Sequence, residues 1–325
     1  MKPKVLVTCP LPGGVLDRLQ PHAEVEVYTS SEPLSKSRFI EKLQDKAAVI
    51  SLLVDPLDEE VLSQAPELKL IANYAVGYDN IDVKAATERG IMVCNTPDVL
   101  TEATADLAWA LLLGAARRIP SGDQYMREGR FSGWEPSLML GSQVSGKTLG
   151  IVGMGRIGQA TAARATGFGM KVLYTSSRTL APSEESALNA KRVPLGELLQ
   201  QADFVSLHAP YDAQNHHMIG EQALLQMKPT SYLINTARGA LVDEAALVQA
   251  LREGWIAGAG LDVFEKEPAM AEGLRELDNV VLAPHVGSAT IEARTAMGRL
   301  CVDNVLAGLN GQRPPTLLHA NGRGR

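Results

Sequence analysis

The feature that most constrains this chain is a short run, Leu149-Gly-Ile-Val-Gly-Met-Gly-Arg-Ile-Gly158. An apolar strand leads straight into Gly153-x-Gly155-x-x-Gly158, and the residues after it, 157–166, have a helical pattern. A bare G-x-G-x-x-G says little. With a strand before it and a helix after it, the motif reads as a dinucleotide-binding turn. Gly153 permits the tight turn, Gly155 lets the backbone approach a pyrophosphate, and Gly158 lets the helix pack close to its strand. The helix N-terminus, with Arg156 and Ile157 in the same candidate cofactor set, offers free N–H groups and partial positive charge to phosphates.

Such a turn belongs to a parallel sheet, and the surrounding pattern predicts one. Apolar strand candidates at 148–152, 171–175, 204–208, 232–236, 257–263 and 280–283 alternate with helical stretches at 157–166, 221–227 and 244–252. The first hundred residues repeat the scheme, with strands at 5–8, 25–28, 48–53, 70–73 and 91–94 and polar-apolar segments at 35–44 and 58–64. Continuous apolar strands separated by helices indicate parallel sheets covered on both faces. At roughly 150 residues per domain, 325 residues suit two domains. The expected fold class is therefore α/β, with two doubly wound parallel-sheet domains.

Residues 101–119 read as one long helix, apolar nearly all round and so buried. The loop at 129–146 carries Trp134, Leu138, Met139 and Leu140. Exposed apolar residues in a loop usually mark an interface. A last helix is expected at 290–309, and the Gly-rich tail 319–325 reads as frayed.

Charge and cysteines narrow the function classes. The net charge is −6 with no basic stripe, which argues against a nucleic-acid partner. Cys9, Cys94 and Cys301 are odd in number and widely spaced, so neither a disulfide framework nor a zinc site is indicated. They read as free thiols in a reducing compartment, the cytoplasm. The first residues have too short an apolar run for a signal peptide. The longest apolar run, 107–116, falls short of the ~20 residues that span a bilayer. No membrane partner and no metal are expected.

The turn after the second strand of the nucleotide half bears on the cofactor. An NAD site usually carries an acid about 20 residues beyond the glycines, bonding the ribose hydroxyls. Here the place holds Ser176, Ser177, Arg178 and Thr179, with no acid until Glu184. Hydroxyls and an arginine suit a 2′-phosphate, so NADPH is expected to be preferred and NADH accepted.

Three motifs lie at later strand ends: Asn235-Thr236-Ala237-Arg238-Gly239, Leu261-Asp262 through Glu267-Pro268, and Pro284-His285-Val-Gly287-Ser288. Ligands of open α/β sheets bind at these ends. Arg238 could grip a carboxylate, His285 could supply a proton, and Glu267 could hold the His ring and favour its charged form. Taken singly each residue has a blander reading, as His22, His216, His217 and His319 do: packed or surface side chains.

These strings, with Ala75-Val-Gly-Tyr-Asp-Asn-Ile-Asp82, carry a resemblance over nearly the whole chain. The sequence resembles the D-isomer-specific 2-hydroxyacid dehydrogenases, within them the glyoxylate/hydroxypyruvate reductase branch, including the 2-ketogluconate reductase type. The resemblance implies a catalytic triad of Arg238, Glu267 and His285. It implies that Asp262 and Thr104 lie at the nicotinamide side, with Thr236, Ala237 and Gly287 in the cofactor set. His208, Ala209 and Pro210 would flank the adenosine half. Leu53 and the backbone of Val76 and Gly77 would contact substrate. It implies a flavodoxin-like substrate domain at 1–99 plus 289–325, a Rossmann domain at 100–288, and a homodimer in which Trp134 limits substrate size. The implied reaction is NAD(P)H-dependent reduction of small 2-keto acids such as glyoxylate, hydroxypyruvate or 2-ketogluconate. Two alternatives stand beside it. One is a related dehydrogenase of 3-phosphoglycerate or formate, of which the former would carry more cations in the substrate domain. The other is a non-enzymatic, corepressor-like nucleotide sensor.

Overall fold

The computed structural model describes residues 1–30, 32 and 34–318, so the tail 319–325 lies outside the described residues. The chain divides into two compact units, residues 1–100 with 288–325, and residues 101–287. No helix among the described residues is long and apolar enough to cross a membrane.

The first unit is built on five parallel strands: β1 (Lys4–Val7), β2 (Glu24–Val27), β3 (Ala48–Ser51), β4 (Leu70–Asn73) and β5 (Met92–Cys94). Their order is β2-β1-β3-β4-β5, the flavodoxin-like arrangement. β1, β3 and β4 are apolar but for one end residue each (Lys4, Ser51 and Asn73), because helices cover both faces. Leu6, Val49 and Ile71 pack against Phe39 and Leu43 of the helix Lys36–Leu43. The chain returns to this unit through the helix Ile291–Leu309, which buries Cys301, Val302 and Val305. Side chains fasten the return. Asn304 exchanges hydrogen bonds with Thr316, whose hydroxyl donates to the Asn95 carbonyl at 2.7 Å.

The second unit has seven parallel strands: β6 (Thr148–Val152), β7 (Lys171–Thr175), β8 (Ala190–Arg192), β9 (Phe204–Leu207), β10 (Tyr232–Asn235), β11 (Gly258–Leu261) and β12 (Val280–Leu282). Their order is β12-β11-β10-β9-β6-β7-β8. From β6 the sheet runs through β7 one way and through β9 the other. The topology therefore reverses beside β6, where doubly wound sheets bind ligands. Alternate side chains of β6 go to opposite faces: Ile151 joins the core over the helix Thr101–Ala116, and Val152 joins the core of Leu198, Leu207 and Leu247.

Several local expectations need correction. The helix expected over 101–119 ends at Ala116. Arg118 then turns left-handed (φ 53°), and a second helix, Ile119–Arg127, starts with Pro120 in its first turn. Proline removes a donor and disfavours helix in the residue before it, so one continuous helix was barred. The helix expected at 221–227 is regular only over Glu221–Leu224. Beyond it Gln226 and Met227 bond three residues back, the tighter closing turn common at helix ends. Strand β8 and the helices Val83–Glu88, Pro182–Ala187 and Leu195–Gln201 were not anticipated.

Candidate active site

The nucleotide turn is shaped by what a Cβ would hit. Gly153 has φ +97°, and a Cβ there would lie 2.4 Å from the Ala209 nitrogen. The β6 turn thus presses directly on the His208-Ala209-Pro210 segment that leaves β9. A Cβ on Gly158 would sit 2.1 Å from the Gly153 carbonyl oxygen. Gly155 is different: nothing lies within 4 Å of its Cβ position, and it caps the helix Arg156–Ala165 without a side-chain bond. Open space over an uncapped helix N-terminus suits a pyrophosphate. Two shielded polar atoms without a partner point the same way: the Thr236 hydroxyl and Nδ1 of His208. The other His208 nitrogen meets Ser206 Oγ at 2.8 Å, and burial drives its pKa down to about 4, so the ring is neutral at physiological pH. The residues fit a bound dinucleotide.

Beyond β7, half-buried Ser176 leads into the exposed Ser177 and Arg178. Arg178 is 60% exposed and reaches Glu184 at 3.3 Å, while the other Glu184 oxygen accepts from the Ala181 N–H. The acid that seemed distant in sequence is therefore beside the turn. A second cation, not singled out from sequence, is Arg192 at the end of β8. It donates to Thr179 Oγ1 at 2.7 Å and to the Ser176 carbonyl at 2.8 Å.

Three neighbouring strand ends carry the other candidates. After β10, Asn235 ties its own turn: Nδ2 donates to the Arg238 carbonyl at 2.9 Å, and Oδ1 accepts from the Ala237 N–H at 3.0 Å. That fixes the backbone from which Arg238 projects. Gly239 is needed next, because a Cβ there would fall 1.9 Å from the Phe264 carbonyl carbon. After β11, the Phe264 N–H donates to Glu267 Oε1 at 3.0 Å, and Glu267 Oε2 meets His285 Nδ1 at 2.8 Å. The loop between them is held by Glu244, a buried carboxylate that sequence reasoning missed. It accepts from the Glu265 and Ala271 N–H groups at 2.7 and 2.8 Å.

After β12, His285 itself is left-handed (φ +53°). Such a conformation is uncommon for a residue with a Cβ, and here three bonds to Asp262 impose it. The His285 N–H donates to the Asp262 carbonyl at 2.8 Å, and the Val286 and Gly287 N–H groups each donate to its carboxylate at 2.7 Å. Asp262 is buried, which pushes its carboxyl up, against the pull of those N–H groups and the His285 charge. Thr104 lies alongside, its Cγ2 3.4 Å from a Cβ position on Gly287. Burial also pushes the Glu267 carboxyl up. The hydrogen bonds from His285 and Phe264, with the charges of His285 and Arg238, outweigh it and hold Glu267 below the usual range. Glu267 is thus a carboxylate that orients the imidazole through Nδ1 and leaves Nε2 as the ring atom for a reacting group.

Among the remaining candidates, Val76 and Gly77 follow β4 in the first unit, where their carbonyls accept from Asn95 and Asn73 at 2.8 Å. Leu53 follows β3 and is half-buried. Trp134, in the second unit, is 82% exposed.

Residues 109–287 match the model of the D-isomer specific 2-hydroxyacid dehydrogenase NAD binding domain. The chain is 53% identical over 323 residues to a glyoxylate reductase of Thermococcus onnurineus (strain NA1), across 98% of this chain and 96% of the relative. Its fold is similar to a glyoxylate reductase from Paecilomyes thermophila, with TM-score 0.88 and 34% identity over 98% of this chain and 99% of that one. It is also similar to an NADPH-dependent glyoxylate/hydroxypyruvate reductase from Sinorhizobium meliloti solved with NADP and malonate. There the TM-score is 0.87 and the identity 35%, over 100% of this chain and 99% of that one. More than half identical to such a relative across nearly its whole length, the chain belongs to the D-isomer specific 2-hydroxyacid dehydrogenases, enzymes that work with a nicotinamide cofactor.

Proposed function

We propose that this enzyme reduces small 2-keto acids, glyoxylate and hydroxypyruvate foremost and 2-ketogluconate as a further candidate, to D-2-hydroxy acids. The observation that carries the reading is the 2.8 Å contact of His285 with Glu267, set one strand end from Arg238. A bound reduced nicotinamide supplies the hydride. Arg238 holds the substrate carboxylate and polarises the neighbouring carbonyl. His285 donates a proton from Nε2 to the carbonyl oxygen as charge develops there, and Glu267 stabilises the imidazolium beforehand. Asp262 and Gly287 set the turn beside the cofactor, with Thr104 against it. Substrate contacts for Leu53, Val76 and Gly77 rest on the resemblance alone. Loss of reduced-nicotinamide absorbance on adding glyoxylate or hydroxypyruvate tests the reading. Cofactor binding without turnover of any small 2-keto acid would sink it in favour of a nucleotide sensor.

NADPH is the preferred cofactor in this proposal. Arg192 donates to the Ser176 carbonyl, and Arg178 stands in the same turn with its guanidinium held by Glu184 at 3.3 Å. A charge-assisted bond to phosphate gives up to about a hundredfold in affinity. Arg178 is exposed and must leave Glu184, so the lower end, about tenfold, is expected in kcat/KM. Arg178→Ala and Arg192→Ala should each shrink that ratio. A native preference for NADH, or a ratio unmoved by both variants, would overturn the assignment.

A homodimer completes the proposal. Ile119, Met126, Phe131, Trp134 and Leu140 are all exposed on one helix and the loop after it, with Leu140 at 69%. Apolar surface of this kind marks an interface, and the loop is anchored at its far end by Ser142 N–H on the Ala116 carbonyl. Sedimentation should give a dimer for the native chain and a monomer when Trp134 and Leu140 are both made Asp. A fully active native monomer contradicts the interface. The free thiols Cys9, Cys94 and Cys301 support a reducing compartment, the cytoplasm.

A further inference from the structure

We propose that His216, His217 and Glu265 form a binding site for one divalent metal ion of the zinc class. One ligand atom from each lies within 4.8 Å of the others. All three are outside the proposed catalytic set. They come from two segments far apart in sequence, the loop after β9 and the loop after β11.

The geometry is close to that of a ligand set. His217 Nε2 faces Glu265 Oε2 at 3.4 Å, and that nitrogen is shielded from solvent without a hydrogen-bond partner. Ligands about 2.0–2.1 Å from a tetrahedral ion stand roughly 3.3–3.4 Å from one another, so this pair already spans one edge of the tetrahedron. The His216 ring stacks on His217 with centroids 3.9 Å apart. His216 is exposed and can swing onto the same point. A simple ion pair accounts for His217 and Glu265; His216 adds a second imidazole with a ring nitrogen within 4.8 Å of both.

The supporting residues are also of the right kind. A metal-bound histidine usually gives its second N–H to a carboxylate, which fixes the ring. The Asp243 carboxylate stands 3.9 Å from His217 Nδ1, within ion-pair reach but short of a hydrogen bond until the ring shifts onto the metal. Asp243 is itself held, because its other oxygen accepts from the Ala245 and Ala246 N–H groups. On the other side, Tyr211 meets His216 Nδ1 at 3.4 Å, and the Glu265 backbone is tied to Glu244. The His217 backbone is left-handed (φ +52°) and its N–H donates to the Ala240 carbonyl, which aims the ring at Glu265. Two imidazoles and one carboxylate suit zinc, nickel or copper(II). Magnesium and calcium demand oxygen. Three protein ligands leave a fourth position for water.

The test is titration of the chelator-treated full chain with zinc by calorimetry and with cobalt(II) by visible absorption. The expected result is one equivalent per chain, with the absorption of a tetrahedral cobalt site. His216→Gln and Glu265→Gln should each weaken binding at least tenfold. Asp243→Asn should weaken it about 10- to 100-fold while keeping the helix cap. Zinc should raise the melting temperature of the native chain and not of His216→Gln. His285→Asn, which removes the other His–Glu pair, should bind as the native chain does. Absence of saturable binding overturns the proposal. So does binding that survives both His216→Gln and Glu265→Gln; its loss in His285→Asn would assign the ion to the His285–Glu267 pair instead.

Discussion

Replacing His285 by asparagine should lower turnover by about 10²- to 10⁴-fold, the usual worth of a positioned proton donor, while dinucleotide binding persists. Asparagine tolerates the left-handed backbone better than most residues, so the turn after β12 should keep its shape. The three bonds to Asp262 use backbone N–H groups and remain available. What disappears is the imidazole, the proposed proton donor. Steady-state turnover at saturating substrate, beside a fluorescence titration with reduced cofactor, separates the two roles. Near-normal turnover would remove His285 from the chemistry.

Arg238→Lys should cut kcat/KM for 2-keto acids by about 10- to 100-fold although the charge is kept. A guanidinium makes two parallel bonds to a carboxylate; an ammonium is a point charge on a flexible stem. The substitution also isolates geometry from electrostatics. The Arg238 charge helps keep Glu267 ionised, and lysine preserves that contribution. A loss seen mainly in KM would assign Arg238 to holding the carboxylate; a loss in kcat as well would assign it to the transition state. If lysine leaves both constants intact, the clamp role is wrong.

The parts of the molecule that were legible in the sequence are those dictated by the backbone. The glycine turn could be read because Gly153 and Gly158 occupy positions where any side chain would strike main chain. The central strands could be read because burial on both faces makes them continuous apolar runs, as in Ile151–Val152 and Leu233–Ile234. Strand β8 could not, since it is three residues long and exposes Lys191 and Arg192 at the sheet edge. The break at Arg118 was masked by an apolar pattern, although Pro120 announces it. At the site, the side chains proposed to meet substrate, Arg238 and His285, were visible through their motifs. Those that hold the loops were not. Glu244 reads as an ordinary acid in the first turn of a helix, and only the fold shows it buried and bonded to two N–H groups. The carboxylate of Asp262 also accepts from the Val286 and Gly287 N–H groups, a loop-holding role its motif does not display. Glu184 looked too far from the turn after β7, because sequence distance hides the helix that folds it back.

The left-handed backbone of His285 places chemistry and durability in opposition at one position. Glycine is the residue most at ease there, since it has no Cβ to crowd the carbonyl, and by roughly 1–2 kcal/mol it is favoured over a residue with a Cβ. Selection for heat resistance alone would therefore drift toward glycine, which has no side chain to give up a proton. If His285 is the proposed proton donor, its left-handed backbone is a concession of stability to turnover, and screens that reward only folded protein will tend to erase it.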